Sequence, residues 1–354
     1  MKIKVTTARG HSNIAFTKYW GKRDENINLP NNSSISMTLD DNLSTITSVA
    51  LVDGLENDTV FINNELQDFN NPKATEKTKF MKGVLRYMKE ISDVKQNFLI
   101  VSENTFPTSS GIASSASGAA TLIFAVSHAL ELNLSLKHMS IIARQISGSA
   151  CRSIYGGFVK WNTGEKNDGS DSYSVQLKDE KHWPELMDII AIVDSSKKKI
   201  SSSTGHAQTI RTSVLYPSRP SYVEKVNVEL ENAIRNKNFE KMGEIIMRDS
   251  NNMHATMLDT WPPVIYFTGT SIDIIKGVHE LNEKEGKTVA AYTFDAGPNA
   301  HIITTEAYRR QVNEMLSSIS GVQRTIESHA GTGPVLLEEK DSLITEDMIS
   351  HMGR

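Results

Sequence analysis

The chain has 354 residues, 23% of them charged and 38% hydrophobic, enough to bury cores in roughly two domains and a balance that argues against disorder. A net charge of -4, from 38 Lys plus Arg against 42 Asp plus Glu, gives no overall basic field to recruit nucleic acid. The single cysteine, Cys151, excludes an internal disulfide or a multi-thiolate metal site; no apolar stretch is long enough to span a bilayer, and the charged, alternating start does not resemble a signal peptide. The expectation is a cytoplasmic protein with neither nucleic acid nor membrane as partner.

In chain order, the alternation from Lys2 to Ala8 and the apolar run Phe98 to Val101 predict strands. Between Gly111 and Leu132 small residues give way to a longer apolar run, which reads as a small-residue loop feeding a helix. Leu136 to Ile146 predicts an amphipathic helix closed by the Ser147-Gly148-Ser149 turn, and Gly156-Gly157 introduces a strand over Phe158 to Trp161. The polar segment Gly164 to Ser172 reads as a surface loop. Beyond it come a buried strand over Met187 to Val193, one or two helices over Tyr222 to Arg248, and a helix over Ser271 to Leu281 ending near Gly286. Strands over Thr288 to Phe294 and His301 to Thr304 flank the Gly297-Pro298 turn, and Ala307 to Ile319 is helical. Both halves are mixed α and β, with no short-period repeat.

Four groups carry possible chemistry. Pro107 to Gly118, with Ser109, Ser110, Gly111, Ser114 and Ser115, lies between a strand and a helix, so small side chains and helical N–H groups could cradle a phosphate, or simply form a tightly packed helix entrance. It lacks the Gly-Lys-Ser/Thr of the Walker loop. Lys18 and Lys22 bracket aromatic residues and read either as pocket cations or as a snorkelling surface pair. Ser147, Ser149 and Arg152 suit a carboxylate or phosphate, or a helix cap with a structural ion pair. Asp295, at a strand end before a turn, is a candidate general base or cation stabiliser, with an Asx turn as the alternative. His206 and His254 have no companions at metal-ligand spacing, so no metal is expected; Cys151 reads as a packed side chain. Lys197 to Lys199 read as a solvated face, and Ser201 to Gly205 as another possible anion-binding turn.

Taken together and in this order, the Lys-Tyr-Trp-Gly-Lys run at 18–22, Ser-Gly-Ser-Ala-Cys-Arg-Ser at 147–153 and Phe-Asp-Ala-Gly-Pro-Asn at 294–299 resemble the diphosphomevalonate decarboxylase family of the superfamily that also holds galactokinase, homoserine kinase, mevalonate kinase and phosphomevalonate kinase. Similar segments run from Asn13 to Pro334, covering nearly the whole chain. The resemblance implies a two-lobed α/β (α+β) fold with a deep central cleft, an N-terminal lobe over 1–185 carrying the phosphate loop and a C-terminal lobe over 186–354. It implies a carboxy-lyase of the mevalonate route to isoprenoids, acting on a phosphorylated mevalonate, with a homodimer as the family expectation. Matching positions would make Asp295, Lys18 and Arg152 catalytic, and would give Tyr19, Lys22, Ser147 and Ser149 to substrate binding. Ser109, Ser110, Gly111, Ser114 and Ser115 would face nucleotide phosphates in an ATP-using member.

Two departures narrow that expectation. Gln145 stands where diphosphate-using relatives often carry Lys or Arg, and Ser203 lies near the position of an Arg in some relatives. Each missing cation removes a contact worth about 1.5–3 kcal/mol from a polyanion site. On that ground the sequence leans toward an ATP-independent mevalonate 3,5-bisphosphate decarboxylase needing no cofactor. The alternatives are decarboxylases of diphosphomevalonate or phosphomevalonate that use ATP and magnesium, or a small-molecule kinase on the same fold.

Overall fold

The computed structural model describes residues 4–71, 73–106, 114–193 and 200–348. Three sheets carry the fold. The first has six strands in the order Val335–Leu336, Val5–His11, Ser44–Val52, Asn97–Asn104, Thr59–Ile62 and Glu65–Leu66. All its pairings are antiparallel except that of Thr59–Ile62 with Asn97–Asn104. The second runs Ser174–Lys178, Phe158–Trp161, Ser34–Thr38, Asn13–Ala15, and the third Ala290–Phe294, Ala300–Thr305, Leu186–Ile192, Arg324–His329. The expected mixed α/β architecture is therefore observed.

Helices cover these sheets where the sequence gives them an apolar stripe. The helix Ser114–Ala129 packs on Val5–His11 and Ser44–Val52, with Ala116, Ala119, Ala120 and Ile123 buried. It lies so close that a side chain at Gly10 would strike Thr121 at 2.3 Å. The helix over Leu136–Ile146 and the strand over Phe158–Trp161 have the bounds expected from sequence. The helix is capped by Ser135, whose hydroxyl accepts the N–H of His138, and the strand follows Gly157 at φ +70. In the third sheet every residue of Leu186–Ile192 and Ala290–Phe294 is buried, because helices lie against it. One apolar cluster joins Ile14, Phe16, Ile35 and Phe158 to Ile189, Ile246 and Phe294, so the second and third sheets share a core.

Several boundaries move. The first strand is shifted toward His11, in register with Ser44–Val52. Tyr222 to Arg248 resolves into two helices, Arg219–Arg235 and Phe239–Leu258, separated where Lys237 takes φ +52. The helix expected over Ser271–Leu281 is longer, Gly269–Glu285, and ends at Gly286 with φ +67. Ser201 to Gly205 is not a free anion-binding turn: Ser201 caps the helix Ser202–Thr212 by accepting the N–H of Thr204, and Gly205 lies within that helix against Trp20. Lys197 to Lys199 lie outside the described residues.

Candidate active site

The segment after Asn13–Ala15 leaves the second sheet and meets the helices Arg219–Arg235 and Phe239–Leu258, through Thr17 to Asn227 and through Lys18 to Arg219 and Asp249. At Lys18 both backbone groups are held by one buried ion pair. Lys18 N–H donates to Asp249 Oδ2 at 2.7 Å, and Lys18 C=O accepts from Arg219 Nη2 at 3.1 Å and from Asn32 Nδ2 at 3.1 Å. Arg219 Nη1 in turn meets Asp249 Oδ1 at 3.2 Å, both side chains being wholly buried. Asp249 sits on the buried face of its helix with Met242, Ile245, Ile246 and Met253. A charge on an apolar stripe needs a partner, and Arg219 is that partner.

The Lys18 side chain then extends to Asp295, Nζ to Oδ1 at 2.7 Å, joining positions 277 residues apart. Lys18 is 2% exposed and Asp295 33%, so the ammonium is enclosed while the carboxylate keeps an open face. Asp295 follows Phe294, the last residue of its strand, and its C=O accepts the N–H of Gly297 at 2.7 Å in the expected turn. Behind the pair, Asp188 meets His301 at 2.6 Å across neighbouring strands; burial raises the Asp188 pKa above the ordinary carboxylate value, against the pull of His301.

Arg152 belongs to the same neighbourhood. It lies in the short helix Ala150–Ser153 after the Ser147 to Ser149 turn, and Asn13 Oδ1 accepts from its Nε at 3.2 Å and its Nη2 at 3.0 Å. Its Nη1 donates to Ser34 Oγ at 2.6 Å. Burial lowers its pKa below the ordinary guanidinium value, and Cys151 and then Asp295 oppose that shift, so the Asp295 charge reaches this guanidinium. Asn13 is itself fixed, donating from Nδ2 to Ser153 Oγ at 2.8 Å and to Ser149 C=O at 3.1 Å. Ser147 and Ser149 are half-buried, on either side of Gly148. A side chain at Gly148 would sit 2.7 Å from the Tyr19 ring, so the turn needs glycine there for Tyr19 to lie against it.

Tyr19 is packed between Trp161 and His206, with ring centroids 4.7 Å away in each case. Its hydroxyl is buried without a hydrogen-bond partner among the described residues, and burial raises the phenol pKa far above its ordinary value. Lys22 lies half-buried in the strand Lys22–Asp24; its pKa is lowered by burial, with Glu76 and Glu25 opposing. Of the phosphate loop, Ser109, Ser110 and Gly111 lie outside the described residues, and Ser114 opens the helix. Ser115 is half-buried, and its hydroxyl accepts from Lys77 Nζ at 3.4 Å, a cation the sequence reading did not single out. Burial lowers the Lys77 pKa. Cys151 is buried and its thiol is pushed up to about 11 by that burial, in keeping with a packed side chain.

The structure thus brings Asp295, Lys18, Arg152, Tyr19, Ser147 and Ser149 to one region. Sequence reading missed the residues that hold them: Asn13, Ser34, Asp249 and Arg219. Asp249 had left a signal, a carboxylate on an otherwise apolar helical face; Arg219, 30 residues earlier, had left none. Gln145, read as a missing cation, is half-buried, while the adjacent Arg144 is wholly buried and donates to the C=O groups of Ile27, Gly169 and Ser172 at 3.2, 2.8 and 2.6 Å. Among the described residues no three His, Cys, Asp or Glu side chains gather as a metal cage, and no helix is long and apolar enough to cross a membrane.

Comparison with known proteins follows the same lines. Residues 10–174 match the diphosphomevalonate decarboxylase-like N-terminal domain, and 188–351 match the mevalonate 5-diphosphate decarboxylase C-terminal domain. The chain is 40% identical over 345 residues to the diphosphomevalonate decarboxylase of Candida albicans, spanning 91% of this chain and 95% of that one. It is similar in structure to mevalonate diphosphate decarboxylase from Staphylococcus aureus, with a TM-score of 0.85, 34% identity, and 95% and 98% of the two chains covered. A solved complex of MDDEF with MVAPP, AMPPCP and magnesium gives a TM-score of 0.84, 35% identity, and coverage of 95% and 99%.

Proposed function

Because the chain belongs to the diphosphomevalonate decarboxylase family, a family of carboxy-lyases in the mevalonate route to isoprenoids, we propose that it converts mevalonate 5-diphosphate and ATP into isopentenyl diphosphate, ADP, phosphate and carbon dioxide. The observation that carries the chemistry is the Lys18–Asp295 contact of 2.7 Å beside the buried Arg152. Asp295 accepts the proton of the tertiary hydroxyl as that oxygen takes the phosphoryl group from ATP. The enclosed Lys18 Nζ, 2.7 Å from Oδ1, fixes the orientation of the carboxylate toward substrate. When the new phosphate leaves, positive charge develops on carbon three. The Asp295 carboxylate stabilises it, and loss of carbon dioxide from the neighbouring carboxylate supplies the electrons of the double bond. Arg152, anchored at three nitrogens, orients that carboxylate together with Ser149, while Tyr19, Lys22 and Ser147 hold the carbon-five phosphoryl groups.

ATP enters as co-substrate, its phosphates facing Ser115, Lys77 and the start of the helix Ser114–Ala129. Magnesium would come with the nucleotide and would supply neutralisation of its phosphate charge, since no cage of three His, Cys, Asp or Glu side chains stands among the described residues.

The ATP-independent bisphosphate reading rested on Gln145 and Ser203, and it loses to its alternative. The relatives are named for diphosphomevalonate, and one similar structure holds MVAPP with AMPPCP and magnesium. In this reading the carbon-five end does not depend on Gln145 for charge, since Lys22 and the buried donor Tyr19 take that role. Incubation with 5-diphosphomevalonate, 5-phosphomevalonate or mevalonate 3,5-bisphosphate, each with and without ATP and magnesium, tests the proposal. Carbon dioxide and ADP in equal amounts are expected from the diphosphate when ATP and magnesium are present, and from neither of the other two substrates. Carbon dioxide from the bisphosphate without ATP would restore the rejected branch, and ADP without carbon dioxide would make the protein a kinase.

A further inference from the structure

Asp249 and Ser250 are neighbours on the helix Phe239–Leu258, and both are wholly buried. The carboxylate of the first accepts the N–H of Lys18 at 2.7 Å. The hydroxyl of the second has no part in the chemistry above, yet its Oγ accepts the N–H of Phe294 at 3.1 Å, one residue before Asp295. Successive residues of a helix project about 100° apart, so two adjacent side chains can hold two different segments. Here those segments are the two that carry the Lys18–Asp295 pair.

The need for Ser250 follows from the sheet. Ala290–Phe294 is an outer strand, whose strand partner among the described residues is Ala300–Thr305. Alternate backbone groups of such a strand point away from the sheet, and where the strand is buried a side chain must meet them in place of water. At the start of the strand Asn282 does this. Its Oδ1 accepts the N–H groups of Val289 and Ala290 at 2.8 and 3.0 Å, and its Nδ2 donates to the Ala290 C=O at 2.8 Å. Four residues on, in phase with Ala290, Ser250 meets Phe294.

The two anchors differ in what lies beyond them. Asn282 holds the end remote from the pair, whereas after Phe294 the chain turns directly into Asp295. Ser271 closes that turn on its far side, its Oγ donating to the Pro298 C=O at 3.1 Å. One turn beyond Ser250 on the same helix, His254 packs edge-on to the Phe294 ring with centroids 6.1 Å apart, so the helix grips both the backbone and the ring of that residue.

We infer that Ser250 is a positioning residue of the reaction: with Asp249 it makes one helix the gauge of the distance between Lys18 and Asp295. The inference rests on the decarboxylase reading for what the pair does, and on the hydrogen bonds for how the pair is held. Without Oγ the Phe294 N–H is buried with no acceptor, and Asp295 shifts as the strand end relaxes to find one. A displacement of about 1 Å at a reacting group costs about 100-fold in rate. Ser250 holds no group assigned to the substrate, so the loss falls on kcat and not on binding.

Three variants of the full-length protein test this, assayed by carbon dioxide release from 5-diphosphomevalonate with ATP and magnesium. Ser250→Ala should lower kcat by about 10- to 100-fold and leave the KM of either substrate within about twofold of native. Ser250→Cys keeps the shape and offers a weaker acceptor, so its kcat should fall between those of Ser250→Ala and the native protein. Asn282→Ala frees the same strand at its other end; its urea midpoint should drop while kcat stays within about twofold of native. A native kcat in Ser250→Ala, or an equal fall of kcat in Asn282→Ala, would overturn the inference and leave Ser250 as a partner for a strand edge, with the decarboxylase reading intact. Should Ser250→Ala fail to fold, Ser250→Cys carries the test, a native kcat there being the overturning result. If the native protein itself releases no carbon dioxide, the decarboxylase reading falls separately. The crystal structure of Ser250→Ala then decides whether Ser250 holds the pair: a displaced Lys18–Asp295 contact upholds it, and a contact unchanged from the native one overturns it.

Discussion

The two ends of the site are built on opposite principles. Around Asp295, the protein supplies partners in advance: Lys18 to the carboxylate, Asn13 and Ser34 to Arg152, and the Arg219–Asp249 pair to the Lys18 backbone. Around Tyr19, hydrogen-bonding capacity is buried and left open: among the described residues the Tyr19 hydroxyl has no partner. Groups that act on developing charge must be oriented before it appears, and reorganising them during reaction would add to the barrier. Groups that only bind can leave a valence for the ligand, at some cost to the free protein.

The largest effect should come from breaking the pre-organised end at its centre. Asp295→Asn keeps an acceptor for Lys18 but removes the base and the negative charge, and carbon dioxide release should fall by at least about 100- to 10,000-fold with the circular dichroism spectrum unchanged. Near-normal release would remove Asp295 from the mechanism. Arg219→Met should come next. It leaves Asp249 buried without its cation, and urea unfolding should show a loss of about 3–5 kcal/mol. In the fraction that remains folded, kcat should drop because the Lys18 carbonyl loses one of its two donors and keeps only Asn32; an unchanged kcat would mean that the clamp is structural only.

A smaller effect separates burial from catalysis. His254 is stacked on Phe267 at 4.0 Å, and burial followed by the charge of Lys18 lowers its pKa to about 3. Its folded value lies below its ordinary value of 6.5, so the unfolded chain binds the extra proton first. The stability it contributes is complete above about pH 6.5 and is lost as pH falls toward 3, which makes this residue a driver of acid unfolding. His254→Phe keeps the stacking and removes the titration, so urea midpoints measured down the acid limb should fall less steeply than in the native protein. Parallel limbs would show that His254 is not responsible.

This contrast also explains what could be read from the sequence. Segments whose local pattern agrees with their tertiary role were legible: Leu136–Ile146 has a serine cap and an apolar stripe, and Phe158–Trp161 follows a glycine turn. Asp295, Lys18 and Arg152 were legible through motif resemblance, since their spacing of hundreds of residues carries no local signal. The helix Ser202–Thr212 was not, because Ser-Ser-Thr-Gly-His has the composition of a turn and is helical by virtue of the Ser201 cap and the contact of Gly205 with Trp20. The helix Glu76–Ser92 could have been found, since Met81, Val84, Leu85 and Met88 recur at helical spacing. The Arg219 partnership could not: whether an arginine bonds one backbone carbonyl about 200 residues away is decided by packing alone. The mistaken weight given to Gln145 has the same origin, because sequence displays which charges are present but not which are already committed to backbone carbonyls, as Arg144 is.

The smallest change tests the contrast most directly, because it predicts opposite signs for stability and binding. Removing one oxygen by Tyr19→Phe leaves the ring contacts with Trp161 and His206 in place and eliminates a buried hydroxyl that has no partner. A desolvated, unbonded hydroxyl costs about 1–3 kcal/mol, so the free variant should be as stable as the native protein or more stable by about 1 kcal/mol in urea. If that hydroxyl instead waits for a phosphoryl oxygen, the KM for 5-diphosphomevalonate should rise about tenfold, the equivalent of about 1.4 kcal/mol, with kcat nearly constant. A loss of stability together with an unchanged KM would reverse the assignment, making Tyr19 part of the rigid scaffold and leaving Lys22 to hold the phosphoryl end with Ser147.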